Sequence, residues 1–248
     1  MSSFLNQIFS QLIEFSPLLA VFVLSFIITL IMTLIYKYTT DQKRMKELRE
    51  RLGQLQKEAK AAASDPKKMM KINSEMMTIN GEYMKHSLKP MLISWIPVIL
   101  IFAWMSANLA YEPIMPGQEF NITLKFRNGI GGEVGISSSP ALTIVEGDYV
   151  QQIKNGTAQW LLRGDEGLYT LTFTFQNKSY EKKVLITNRA EYEPPITQIG
   201  NSNLTAIEIG NRPRKVIQIG KFGMGWFWAY FIFALILNSI LRKIMKVY

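Results

Sequence analysis

Three stretches of the 248-residue chain contain no Asp, Glu, Lys, Arg or His: Phe15 to Tyr36 (22 residues), Pro90 to Tyr111 (22) and Phe222 to Leu241 (20). A helix rises about 1.5 Å per residue, so each run reaches roughly 30–33 Å, the thickness of a bilayer's hydrocarbon core. Averages hide this. A chain that is 48% hydrophobic and 19% charged, with a net charge of +9, would otherwise suit a basic globular protein. The runs predict three transmembrane helices, at 15–36, 90–111 and 222–241. The first is not expected to be a cleavable signal peptide, because Met1 to Glu14 carries no Lys or Arg and the apolar run is too long. Trp95, Trp104, Trp226 and Trp228 lie near the ends of the second and third runs, where interfacial aromatics belong.

Counting Lys and Arg orients the spans. The first loop, 37–89, has 13 basic against 7 acidic residues, and the second, 112–221, has 12 against 11. The tail, 242–248, adds Arg242, Lys243 and Lys246. The positive-inside rule then puts the first loop and the C-terminus in the cytoplasm, with the N-terminus and the second loop outside a plasma membrane. The N-x-S/T acceptor sites for N-glycosylation, Asn121, Asn155, Asn177 and Asn203, all fall in that outer loop. Residues 1–14 place Phe4, Leu5, Ile8, Phe9, Leu12 and Ile13 on one helical face, as for an amphipathic segment on the outer interface.

The cytoplasmic loop reads as a hairpin. Met45, Leu48, Leu52, Leu55, Ala59 and Ala62 recur at spacings of three and four, and Met69, Ile72, Met76, Ile79, Tyr83 and His86 repeat the pattern. Between them, Asp65-Pro66 supplies an N-cap and a first helical residue. Two matched seams joined by a short turn predict an antiparallel coiled coil over 37–89. Asn80-Gly81 is expected to weaken its second helix. A separate stripe, Met70, Met77, Met84 and Met91, is spaced by seven. Flexible thioethers suit a surface that binds varied apolar segments, although such a stripe also serves to widen a core or touch lipid. The basic excess fits a solvated face as well as docking on ribosomal RNA or anionic lipid.

With this orientation, Ser25, Thr29 and Thr33 share one face of the first span, from mid-membrane toward the cytoplasm. Ser94, Asn238 and Ser239 sit at the same side, with Tyr36 and Lys37 at the inner rim. Membrane hydroxyls often bond their own helix or glue helices together. Their bias to one leaflet points instead to a polar groove open to the cytoplasm, which Pro97 would hold open by kinking the second span.

Beyond the second span the period changes to two, as in Phe120 to Phe126, Ala158 to Leu162, Leu168 to Phe175 and Lys183 to Thr187. Asp165-Glu-Gly-Leu-Tyr169 is similar to the tyrosine corner of immunoglobulin-like domains, so an extracellular immunoglobulin-like β-sandwich is expected within 112–221. Three further short strands are expected around Ile196-Thr-Gln-Ile, Ala206-Ile-Glu-Ile and Val216-Ile-Gln-Ile. The fold class is thus membrane α + β. No nucleotide loop, nucleophile elbow or zincin motif occurs, and the chain has one His and no Cys, so neither catalysis, a metal nor a cofactor is expected.

The turn Ser64-Asp-Pro-Lys-Lys-Met-Met-Lys71, the span entry Lys85-His-Ser-Leu-Lys-Pro-Met91, Trp95-Ile-Pro97 and Ile101-Phe-Ala-Trp104 resemble the archaeal branch of the Oxa/YidC superfamily of membrane-protein insertases. Relatives include insertase subunits of the endoplasmic-reticulum membrane protein complex and the guided-entry tail-anchor receptor. The resemblance covers roughly 1–111 and 222–248. It implies an insertase or chaperone that takes nascent or tail-anchored transmembrane segments into a cytoplasm-facing groove and passes them to lipid without nucleotide hydrolysis. The implied partners are such clients, the ribosome or anionic lipid at the hairpin, and the general translocation channel. Bacterial relatives carry a positive residue within the first core span; here Lys37 at the rim is the nearest. Two other functions fit the layout: a cell-surface receptor or adhesion protein dimerising through the coiled coil, and a small cation channel.

Overall fold

The computed structural model describes residues 2–200 and 202–247, with side chains from Phe9 onward. It contains helices α1 (Ser2–Phe15), α2 (Pro17–Thr39), α3 (Gln42–Ala61), α4 (Pro66–Leu109) and α5 (Trp226–Ile244), with eleven strands between α4 and α5. Of these helices, α2, α4 and α5 are long and apolar enough to cross a membrane. The chain divides into a β-rich unit, 1–18 with 105–226, and a helical unit, 19–104 with 227–248.

In the helical unit, local chemistry sets the element ends. Asp41 caps α3 by accepting bonds from the amides of Lys43 and Arg44. Asp65 accepts from Lys67 and Lys68 at 3.1 and 3.2 Å, with Pro66 as the first residue of α4. The two helices pair in opposite directions. Arg44 grips Glu82 through Nε and Nη2 at 2.7 and 2.8 Å, and Arg51 grips Glu75 at 2.9 and 2.7 Å. Seven residues up α3 thus correspond to seven residues down α4. Hydrogen bonds from Arg44 to Glu82 and Glu47 hold its guanidinium above the usual arginine range. Between the helices, Leu55, Ala62 and Ile72 form a buried cluster, joined by Ala59, Met76 and Ile79. His86 lies outside this seam and is exposed. Asn80-Gly81 does not interrupt α4, which runs unbroken for 44 residues. The neighbouring turns supply enough helical bonding to carry the one weak former.

The C-terminal end of α5 is a tight reversal. Val247 N donates to Arg242 O at 2.9 Å and Lys246 N to Lys243 O at 3.4 Å, with Lys246 at φ 52°. This is the Schellman arrangement, with lysine where glycine is usual. It turns Val247 back so that its side chain is buried.

In all three spans the helix ends differ from the limits of the charge-free runs. The first begins at Pro17, because Phe15 ends α1 and a proline, lacking an N–H, starts a helix more readily than it continues one. It extends past Tyr36 to Thr39. The helix of the second ends at Leu109 rather than Tyr111. The third begins at Trp226, not Phe222. Residues Phe222–Met224 form a strand, and Gly220, Gly223 and Gly225 disfavour helix there.

The β-rich unit contains two open antiparallel sheets and a separate two-stranded ribbon. One sheet orders β3 (Thr143–Glu146), β5 (Thr157–Arg163), β1 (Phe120–Phe126), β9 (Leu204–Ile209) and β8 (Ile196–Gln198). The other orders β4 (Val150–Gln152), β2 (Glu133–Ser139), β6 (Gly167–Phe175) and β7 (Lys178–Ile186). The strands alternate in burial, most cleanly in β1, so their inner faces share one core, with Trp160 and Phe173 among its largest members. Tyr169 Oη donates to Asp165 O at 3.0 Å, closing the corner that the D-x-G-x-Y pattern predicts. Of the three late strands, two join the first sheet; the third, β10 (Ile217–Ile219), pairs only with β11 (Phe222–Met224). The ends of this unit are clipped together. Glu112 N donates to Arg212 O at 2.8 Å and Arg214 N to Ala110 O at 2.9 Å, around the Tyr111–Pro213 bridge.

The α1 face expected from Phe4, Leu5 and Ile8 falls on side chains outside those described. Farther along, Phe9 and Ile13 are buried. Asn121, Asn155 and Asn177 are exposed, the last two at positive φ in turns, whereas the Asn203 amide donates to Gln176.

Candidate functional site

A cavity of about 270 Å³ opens among α2, α4 and α5 of the helical unit. Its polar wall comes from Thr33 and Tyr36 of α2, Ser87 and Ser94 of α4, and Asn238 and Arg242 of α5. Met32, Pro90, Met91 and Trp95 supply apolar wall, and Val247, reversed by the terminal turn, closes one side. Arg242 stacks over the Tyr36 ring, with Cζ 4.8 Å from its centroid. Tyr36 Oη lies 3.4 Å from Ser87 Oγ. Among the described residues, no carboxylate lines the cavity. It therefore offers hydroxyls, one amide and one guanidinium among aliphatic and aromatic groups, suited to a polar peptide beside an apolar one.

Only part of the expected groove is gathered here. Thr33, Tyr36, Ser94 and Asn238 meet in it. Ser25 and Thr29 do not line it: they are 0% and 5% exposed, and their hydroxyls donate to Val21 O and Ser25 O at 2.6 Å. The same i−4 bonding occupies Thr33, to Thr29 O at 2.7 Å, and Ser94, to Pro90 O at 2.7 Å. Lys37 lines neither this cavity nor its basic neighbour, a cavity of about 500 Å³ walled by Ser239, Arg49, Lys243 and Lys246 and sharing Asn238 and Arg242.

Sequence reasoning missed Arg242, Ser87, Trp95 and Val247 as lining residues. A signal for Arg242 was present: it follows Asn238 by four residues, on the same helical face. It reads as tail only because the charge-free run stops before it.

The methionine stripe is solvent- or lipid-facing, not core. Met70, Met77, Met84 and Met91 are 74%, 76%, 64% and 48% exposed. At the helical rise they extend over roughly 32 Å of α4. Met91, the last of them, is itself a wall of the cavity. Stripe and cavity are continuous along one helix.

Comparison with known proteins adds one finding. A family model described as integral membrane protein EMC3/TMCO1-like matches residues 4–134, more than half of the chain. The matched residues hold α1 to α4 but not α5, which supplies Asn238 and Arg242. No curated protein and no solved structure matches.

Proposed function

Because the chain belongs to the EMC3/TMCO1-like family of integral membrane proteins, within the Oxa1/YidC/Alb3 insertase superfamily, we propose that it inserts client transmembrane segments through the cavity among α2, α4 and α5. The family is associated with membrane-protein insertion. The finer reading rests on one observation above all: three apolar helices enclose a cavity whose described lining has hydroxyl, amide and guanidinium groups and no carboxylate.

The physical problem is the client's polar flank. Each backbone or side-chain group left without a hydrogen bond in hydrocarbon costs several kcal/mol. Thr33, Tyr36, Ser87, Asn238 and Arg242 would offer partners along part of that path, while the apolar client helix moves out between helices into lipid. Nothing in this step consumes a nucleotide. The exposed methionines up α4 would hold the client's apolar helix before it reaches the cavity, since thioether side chains repack around varied shapes. Arg242 would supply the positive charge that the first span lacks. The α3–α4 pair, in this reading an antiparallel coiled coil, lies in the cytoplasm on the Lys and Arg count. Nascent or tail-anchored proteins are the clients it takes, with ribosome or anionic lipid at the basic face. The two antiparallel sheets and the Tyr169 corner support an immunoglobulin-like reading of the outer unit. A cation channel has less support, because the guanidinium of Arg242 in the cavity wall repels cations.

Site-specific photocrosslinking tests the reading. A crosslinker at Met77 or Asn238 should capture a stalled nascent membrane protein, and one at buried Ser25 should not. Absence of crosslinks from both Met77 and Asn238, with crosslinks between hairpins of two copies instead, overturns it in favour of a dimerising receptor.

A further inference from the structure

A second cavity, of about 600 Å³, lies wholly within the β-rich unit and has no part in the proposed insertion path. Its charged lining is balanced: Glu14, Glu112 and Glu166 against Arg189, Arg214 and Lys215. Arg214 is the unusual member. It is only 7% exposed, and its Nη1 is buried with no hydrogen-bond partner among the described residues. Burial pulls this guanidinium below the usual arginine range, with Tyr192 and Glu112 partly opposing the shift. A buried charged donor left unbonded is costly, and an oxyanion acceptor removes that cost.

The surrounding backbone fixes these groups. Arg214 N is bonded to Ala110 O, so its position follows the clip at the ends of the unit. Lys215 lays its stem across Gly223, where an added Cβ would stand 2.2 Å from Lys215 Cδ. Glycine is therefore what allows the lysine to lie as it does.

Depth and charge then narrow the ligand. Ile13 and Pro17 also line the cavity, and Pro17 is the first residue of the apolar helix α2, so if α2 spans the bilayer this wall adjoins the end of a span, where hydrocarbon gives way to headgroups. Nearby Phe15 is 82% exposed, apolar surface on which an acyl chain can lie. With carboxylates matching cations one for one, a monoanion beside Arg214 and Lys215 adds a single net negative charge, and a dianion adds two and meets the greater repulsion. We propose that this cavity seats the phosphodiester headgroup of a membrane lipid on Arg214 and Lys215.

The test uses the purified full-length protein in detergent with a phosphatidylglycerol carrying a diazirine in its headgroup. Crosslinks are expected within 112–115 or 212–215, and none there from a diacylglycerol carrying the same diazirine. Arg214→Gln should lower their yield about tenfold, the scale of one charge-assisted hydrogen bond. Lys215→Gln and Gly223→Ala should each lower it about threefold, the second by displacing the lysine without changing charge. Crosslinks found only elsewhere overturn the proposal. So does competition by millimolar inorganic phosphate, which would mark a site for a free oxyanion. If Arg214→Gln does not accumulate, the other two variants decide: reduced yield supports the headgroup site, and wild-type yield in both overturns it.

Discussion

At the scale of single residues, the hydroxyls of α2 look alike in sequence and differ in structure. Ser25, Thr29 and Thr33 all bond the carbonyl four residues back, so each satisfies itself within the helix. What separates Thr33 is its position at a cavity wall, and spacing by four cannot report which neighbouring helix lies opposite. Arg242 carries the reverse lesson, since its helical phase with Asn238 was legible and its charge disguised it as tail. The Arg242 side chain also makes the sharpest residue-scale prediction. Arg242→Gln should lower client insertion about tenfold, the upper range of a cation–π contact together with its charge. Arg242→Lys should fall between, keeping the charge but not the planar stack on Tyr36. The readout is the fraction of a reporter client reaching a protease-protected state, at equal membrane levels of each variant.

At the scale of elements, amphipathic periodicity was a good guide and breakers were not. The caps at Asp41 and Asp65 and the pairing of α3 with α4 follow from spacings visible in the chain. Asn80-Gly81 misleads because propensity is a local term of about 1 kcal/mol, small against a helix of 44 residues held by its own ladder and by Arg44–Glu82. The helix ends depart from the charge-free runs for a related reason. A charge-free run reports solvent, not backbone, and cannot distinguish a strand such as Phe222–Met224 from the helix that follows. Gly81 is exposed, and a Cβ there meets nothing within 4 Å. Gly81→Ala should thus stabilise this part of α4 by about 1 kcal/mol. Slower hydrogen exchange at amides 78–86 would register it, and unchanged exchange would refute it.

For the whole molecule, period-two patterning from Phe120 to Thr187 located most of the β-rich unit, but that stretch alone lacks β8 and β9, which complete the five-stranded sheet. Long-range pairing of β1 with β9 has no local signature, and only the short Ile-x-Ile pattern hinted at it. Excising 118–187 would therefore strand Leu204, Ile207 and Ile209, all buried in the complete sheet. That variant is expected to aggregate. Replacing 113–211 with a short Gly/Ser linker keeps the clip between Ala110–Glu112 and Arg212–Arg214. It should remain monodisperse on size exclusion and retain insertion of a reporter client.

The reversed turn after α5 also bears on biogenesis. Met32 and Val247 face the same cavity, yet more than two hundred residues of translation separate them. At about 5–20 residues per second, the first apolar helix leaves the ribosome at least ten seconds before the cavity has its last wall. On the proposed function, a nascent chain cannot use this cavity for its own early spans, which would then be inserted by a finished copy of itself or by a different machine.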